Sequence, residues 1–294
     1  MPQSSFYQVD VFTSKPTLGN PVAVVVVPRY RTLSQQEMQG FARWTNLSET
    51  TFLFETEDDE SSYDYHLKIF TPNSELPFAG HPTLGSCQAW LHHGGRPRRE
   101  ARVVQQCGIG SVEIAIEADG SLSFAAPPLT RSGPVEDSIV ERACMAMGIT
   151  KSAVLDAQWI VNGPTWFALR LASANDVLGV ELGATEPVSD LMWGIFGPYI
   201  GGQAREGEPA FEVRAFAPGQ GVKEDPVCGS FNAGLALSLQ RQSQSSRSVP
   251  ATYVISQGAR LGREGRIVVR ADEANGTTWI GGHAIVCISG QVNL

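Results

Sequence analysis

The chain has 294 residues and a net charge of −8, a balance that argues against a nucleic-acid or anionic-membrane partner. A small anion held at a locally positive spot remains compatible with that charge. With 42% hydrophobic and 18% charged residues the chain can build a sizeable core, and its length suits about two domains.

Residues 1–10 lack the basic start and apolar centre of a signal peptide. Weak alternation over 6–12 predicts a first strand, and 13–20 reads as a turn-rich loop. The valine run 22–27 is too short to span a bilayer and reads as a buried strand. Ser34-Gln35-Gln36-Glu37 is a capping box that should open a helix ending near Thr45. A strand begins at 51–54, the acidic run 55–60 reads as a solvated hairpin tip, and 65–70 is a further strand. Pro82 sits where a helix can begin, and His92-His93 reads as a solvated helix end. Residues 111–116 and 121–124 form a hairpin around Asp119-Gly120.

The Pro/Ser/Gly-rich stretch 125–134 is the best linker candidate. Ser138-Ile139-Val140-Glu141 is a second capping box, opening a helix that Gly148 can close. Strands follow at 158–161, 165–171 and 211–216. Polar residues 240–248 read as a surface connection, before late strands at 253–256, 266–270 and 277–280. The final apolar strand, 284–288, has no obvious partner in the second half and is expected to return to the first domain. The five cysteines, 87, 107, 144, 228 and 287, form no CxxC or Cys/His metal spacing, which points to a reduced, cytoplasmic setting without a bound metal.

One pattern recurs. Glu75-Leu76-Pro77-Phe78-Ala79-Gly80-His81-Pro82-Thr83-Leu84-Gly85 and Glu224-Asp225-Pro226-Val227-Cys228-Gly229-Ser230-Phe231-Asn232-Ala233-Gly234 share Glu, Pro, Gly and Gly at matching places, 149 positions apart. A strand closed by an aromatic and a proline precedes each copy, and a helix-like apolar run follows each. Gln106-Cys107-Gly108 and Gln257-Gly258 extend the echo. The chain therefore reads as a duplicated α+β unit, with domains at about 1–126 (completed by 283–294) and 127–282. Gly80 and Gly229 precede helix starts, where backbone N–H groups can receive a carboxylate and a ligand can approach closely. Ser230 suits an N-cap, His81 can exchange a proton near neutral pH or stabilise its turn, and Asp225 can hold an amino group or His81, or tether its own loop.

Together with Asp10-Val11-Phe12, Gly19-Asn20-Pro21-Val22-Ala23-Val24 and Asn46-Leu47-Ser48-Glu49-Thr50-Thr51-Phe52, these motifs resemble the signatures of the phenazine-biosynthesis isomerase (PhzF-like) family, in the right order over essentially the whole chain. The resemblance implies a diaminopimelate-epimerase-like fold: two pseudo-symmetric domains, each a mixed sheet around a central helix, with the active site in the cleft between them. It also implies no cofactor or metal, a homodimer and a small carboxylate-bearing substrate. By resemblance Glu49 matches the catalytic glutamate, His81, Asp225 and Ser230 the other polar site residues, and Gly80 and Gly229 the cleft glycines. Read from chemistry alone, Glu49 would be an ordinary solvated loop residue.

Cys228 departs from the family's usual threonine. Diaminopimelate epimerase has cysteine at this step of both repeats, whereas the first copy here has Ala79. A cysteine pair for two-base racemisation is thus missing, and a small buried side chain is the simpler reading of Cys228. Three functions follow: a cofactor-independent isomerase with Glu49 as acid/base, a racemase or epimerase opposing Glu49 and Cys228, and a binding protein without turnover. Glu49, His81 and Asp225 together disfavour the third, because binding needs no acid/base set.

Overall fold

The computed structural model describes residues 3–56, 62–185, 188–199, 207–246, 249–272 and 274–294. The tip of the acidic run read as a hairpin lies outside them. The chain divides into two compact units, Met1–Ala125 with Gly281–Leu294, and Ala126–Ile280.

The first unit runs β1 (Gln3–Val11), β2 (Asn20–Val27), α1 (Gln35–Thr45), β3 (Thr50–Glu55), β4 (Tyr65–Phe70), β5 (Glu75–Leu76), α2 (Gly80–His92), β6 (Arg102–Cys107), β7 (Gly110–Ile116) and β8 (Leu122–Ala125). The pairing is antiparallel for β1–β2, parallel for β2–β3, antiparallel for β3–β4, parallel for β4–β6, and antiparallel for β6–β7 and β7–β8. Each parallel step needs a crossover, and α1 and α2 supply them. The valine run is buried throughout because helices cover both faces of β2. Val25 and Val27 pack under Met38, Phe41 and Ala42 of α1, while Val22 meets Gly85 of α2. The capping box at Ser34 forms as read: Ser34 Oγ accepts from Glu37 N at 3.2 Å and Glu37 Oε2 accepts from Ser34 N at 2.8 Å.

The second unit repeats the plan with β9 (Arg131–Pro134), α3 (Asp137–Met147), β10 (Asp156–Val161), β11 (Trp166–Arg170), α4 (Ala174–Gly179), β12 (Met192–Pro198), β13 (Pro209–Ala217), β14 (Val222–Asp225), α5 (Gly229–Ser246), β15 (Thr252–Gln257), β16 (Gly265–Asp272) and β17 (Thr277–Gly282). From β10 onward the senses repeat those of the first unit: antiparallel β10–β11, parallel β11–β12, antiparallel β12–β13, parallel β13–β15, antiparallel β15–β16. α3 and α4 bury Val140, Ala143, Met147 and Val177 against Phe167, Leu169, Trp193, Ile195 and Phe216. The last strand, β18 (Ala284–Asn293), pairs antiparallel with β1 and so belongs to the first unit.

Four local readings change. The supposed linker ends in β9, which pairs with β10. Ser138 lies inside α3, whose N-cap is Glu136 with no side-chain cap bond. The carboxylate of Glu136 is engaged instead by Arg131 and the Trp159 indole, and Gly148 closes the helix in the left-handed conformation. The polar run 240–248 is helical as far as Ser246, where α5 ends among the described residues. His93 is not merely solvated: its Nδ1 is 2.8 Å from the Tyr7 hydroxyl.

Both central helices sit against their sheets through glycine. A Cβ on Gly85 would lie 2.3 Å from Val22 Cγ1, and one on Gly234 would lie 2.4 Å from the carbonyl oxygen of Ile160. The second neighbour is backbone and cannot rotate away. Gly234→Ala should therefore lower stability by about 2 kcal/mol or more by overpacking. Gly40→Ala, on the exposed face of α1 with nothing within 4 Å, should raise it by about 0.5–1 kcal/mol. Urea midpoints of the two variants check the contrast.

Candidate active site

α1 ends at Asn46, whose left-handed conformation turns the chain sharply back toward β3. Ser48 and Glu49 occupy this turn, and the Glu49 carbonyl accepts from Ala23 N at the side of β2. Across from it, α2 begins without a side-chain cap at Ala79. Pro82 has no N–H, so the backbone donors of the first turn are those of Gly80 and His81. His81 Nε2 lies 3.5 Å from Glu49 Oε2, just short of a formed hydrogen bond, with the two side chains 5% and 16% exposed.

Asn20, at the start of β2, completes the cluster. Its amide nitrogen is 3.4 Å from His81 Nδ1. An amide N–H can only donate, so Nδ1 accepts and a neutral ring carries its proton on Nε2, facing Glu49. Burial pushes the Glu49 carboxyl up to about 7, and the Ser48 hydroxyl pulls weakly the other way. A carboxyl with this value is part acid and part base at neutral pH, which a solvated glutamate is not.

In the second unit Asp225 ends β14, and its Oδ1 accepts from Val227 N at 3.1 Å, tying the turn that leads to α5. β14 is itself held by Arg214, which meets Glu224 through two bonds of 2.9 Å and donates to the carbonyls of Val177 and Val180. Gln257 clamps the start of α5. Its Oε1 accepts from Cys228 N (3.1 Å) and Asn232 Nδ2 (2.7 Å), while its Nε2 donates to the Asp225 carbonyl (2.9 Å). Ser230 lies within the first turn rather than at the N-cap, a position taken by the preceding Cys228. The Ser230 hydroxyl accepts from the Trp166 indole N–H at 2.9 Å.

The structure thus brings Glu49 and His81 together at the head of α2, and groups Asp225, Cys228, Gly229 and Ser230 at the head of α5. Cys228 is buried, and burial together with the nearby Asp225 pushes its thiol well above its ordinary range. Raised in this way the thiol favours its neutral form, which counts against it as the second base of a racemase. Asn20, Arg214, Trp166 and Gln257 were not foreseen in these roles. Asn20 lies inside a quoted motif and Gln257 inside the extended echo, so the signal was present without its meaning. All five cysteines are free, and no cluster of metal-ligating side chains occurs among the described residues. No helix among those residues is long and apolar enough to cross a membrane.

Comparison with known proteins decides the lineage. The phenazine biosynthesis-like protein family matches residues 9–290. The chain belongs to this family. It is 36% identical to antisense-enhancing sequence 1 of Schizosaccharomyces pombe over 99% of each chain. It is 33% identical to the trans-2,3-dihydro-3-hydroxyanthranilate isomerase of Pseudomonas aeruginosa over 90% of each. The crystal structure of a PhzF-family protein from Bacillus anthracis superposes with a TM-score of 0.81 at 18% identity, covering all of both chains. Within this PhzF-like family the chain is an isomerase with an α+β fold of mixed sheets. That assignment removes the reading as a binder without turnover.

The elevated Glu49 value has a measurable consequence for stability. The folded protein favours the neutral carboxyl, so stability falls as pH rises from about 4.5 to about 7 and then levels. The cost above pH 7 is on the order of 3 kcal/mol. Glu49→Gln cannot ionise. It should match the wild type in chemical denaturation near pH 4 and exceed it near pH 8. Equal stability of the two proteins at both pH values would show that Glu49 titrates as a solvated group.

Proposed function

We propose that this isomerase moves a proton between carbons of a small carboxylate-bearing substrate without a cofactor, with Glu49 as the group that takes the proton and returns it. The observation that carries the reading is a half-buried glutamate whose carboxyl is pushed up to about 7 and faces His81 Nε2. In its ionised form Glu49 removes a proton from a carbon made acidic by neighbouring unsaturation. The electron pair left behind delocalises into the substrate, and the now neutral Glu49 delivers the proton to a second carbon. His81 keeps the Glu49 carboxyl oriented and donates to it when it is charged. This offsets part of the burial cost while Glu49 is ionised, before it takes the proton and after it returns it.

In this proposal Gly80 and Gly229 present helix-terminal N–H groups to the substrate carboxylate, with Ser230 adding a hydroxyl donor. Asp225 orients a polar substituent, and Cys228 is a small packed neighbour. The protein acts as a cytoplasmic homodimer. The named activity of the Pseudomonas aeruginosa relative makes trans-2,3-dihydro-3-hydroxyanthranilate the first compound to test. Cyclic unsaturated amino acids of the same size come next.

The test is turnover in deuterium oxide followed by NMR. Wild-type protein should move a C–H site and exchange it with solvent deuterium. Glu49→Gln should lose at least about 10²-fold in rate while still binding the carboxylate. kcat/KM should rise with pH through about 7 as Glu49 ionises. Cys228→Ser should retain most activity. Loss of activity in Cys228→Ser with Glu49→Gln fully active would replace the glutamate mechanism with a thiol one.

A further inference from the structure

The hydrogen bonds around Ser230 run in one direction. The indole of Trp166 has a single N–H and no acceptor, so at 2.9 Å it can only donate to Ser230 Oγ. With that lone pair engaged, the Ser230 proton must point elsewhere. Its recorded neighbour is Cys228 Sγ at 3.6 Å, a weak acceptor because the thiol is neutral. Trp166 is held in place independently. It is buried on β11, and its ring meets Phe231 edge-on with centroids 5.6 Å apart. On the same turn of helix, Asn162 Nδ2 donates to the Ser230 carbonyl at 3.3 Å, so the residue is held from the side-chain end and from the backbone.

We infer that Trp166 is a positioning residue that dedicates Ser230 to donating. The indole fills the acceptor side of the hydroxyl, and the sulfur of Cys228 holds its proton only loosely. A carboxylate arriving at the head of α5 is a far stronger acceptor and takes that proton without breaking a costly bond. A serine lacking the indole would spread its proton over several orientations and would have to give up that freedom, or another acceptor, to meet the anion. The selectivity for anions at this turn thus comes partly from a tryptophan that need not touch the ligand. This inference rests on the proposed role of Ser230 in carboxylate binding.

The test is a double-mutant cycle with anthranilate as the probe, its dissociation constant measured by calorimetry on the full chain. Trp166→Phe keeps the ring packed against Phe231 and removes only the donor. It should weaken binding about fivefold, the worth of one hydrogen bond. Ser230→Ala should weaken binding by at least as much. Adding Trp166→Phe to Ser230→Ala should change nothing further, because the indole then has no hydroxyl to orient. On a turned-over substrate Trp166→Phe should raise KM by a similar factor and leave kcat within about twofold. Losses that multiply in the double variant would overturn the inference, since they mean that Trp166 acts through packing alone. An unchanged affinity in Trp166→Phe beside a weakened Ser230→Ala would overturn it too, while leaving the role of Ser230 intact. If Ser230→Ala binds anthranilate as the wild type does, or the wild type does not bind it, the carboxylate-binding role itself fails and takes this inference with it.

Discussion

The close seating of two helices on two sheets is the constraint on which the rest depends. Gly85 lets α2 approach β2, and Gly234 lets α5 approach the end of β10, in each case nearer than any Cβ would allow. Each helix is thereby fixed along and across its sheet, and so is the height at which its first turn emerges. The polar clamps act on those first turns. In the first unit Gln105 of β6 donates to Thr83 of α2. In the second Gln257 of β15 takes Cys228 N and the Asn232 side chain of α5. Thr83 and Asn232 stand 149 positions apart, the spacing of the repeat. The duplication has thus kept a buried amide from the following strand gripping the helix start, although the gripped residue has changed.

On this scaffold the two units specialise. The first carries an acid/base pair: Glu49 on the turn after α1 and His81 in the first turn of α2, with the Asn20 amide against the other side of the imidazole. Its electrostatics are dominated by burial, which favours the neutral carboxyl. The second carries donors and charge already committed to structure. Arg214 is held by Glu224 and two carbonyls, Asp225 ties its own turn, and the Cys228 thiol is pushed well above its ordinary range.

Much of this was legible in the sequence because it rests on local, periodic signals. The glycine motifs, the valine strand, the capping box at Ser34 and the hairpin at Gly120 each depend on a few neighbouring residues, and each stands as read. The misread segments involve competition from afar. Ser138 resembles an N-cap, but α3 starts earlier, where Glu136 binds Arg131 and Trp159, and no short window reveals that pairing. Residues 240–246 look like a loop because they are polar, yet α5 is already nucleated and simply continues. The partners of the site residues were the least legible part. Glu49 needs Asn46 to turn the chain and His81 from another element to face it, and Trp166 finds Ser230 across 64 positions.

The central claim is that Glu49 is a proton carrier tuned to neutrality by its surroundings. The direct measurement is a pH titration of the protein with ¹³C-labelled glutamate side-chain carboxyls, followed by NMR, with Glu49→Gln assigning the resonance. The account requires the Glu49 carboxyl to titrate at about 7, far above the ordinary glutamate value of 4.5. A midpoint near the ordinary 4.5 would contradict it, leaving Glu49 a charged spectator at working pH and the proton chemistry to some other group.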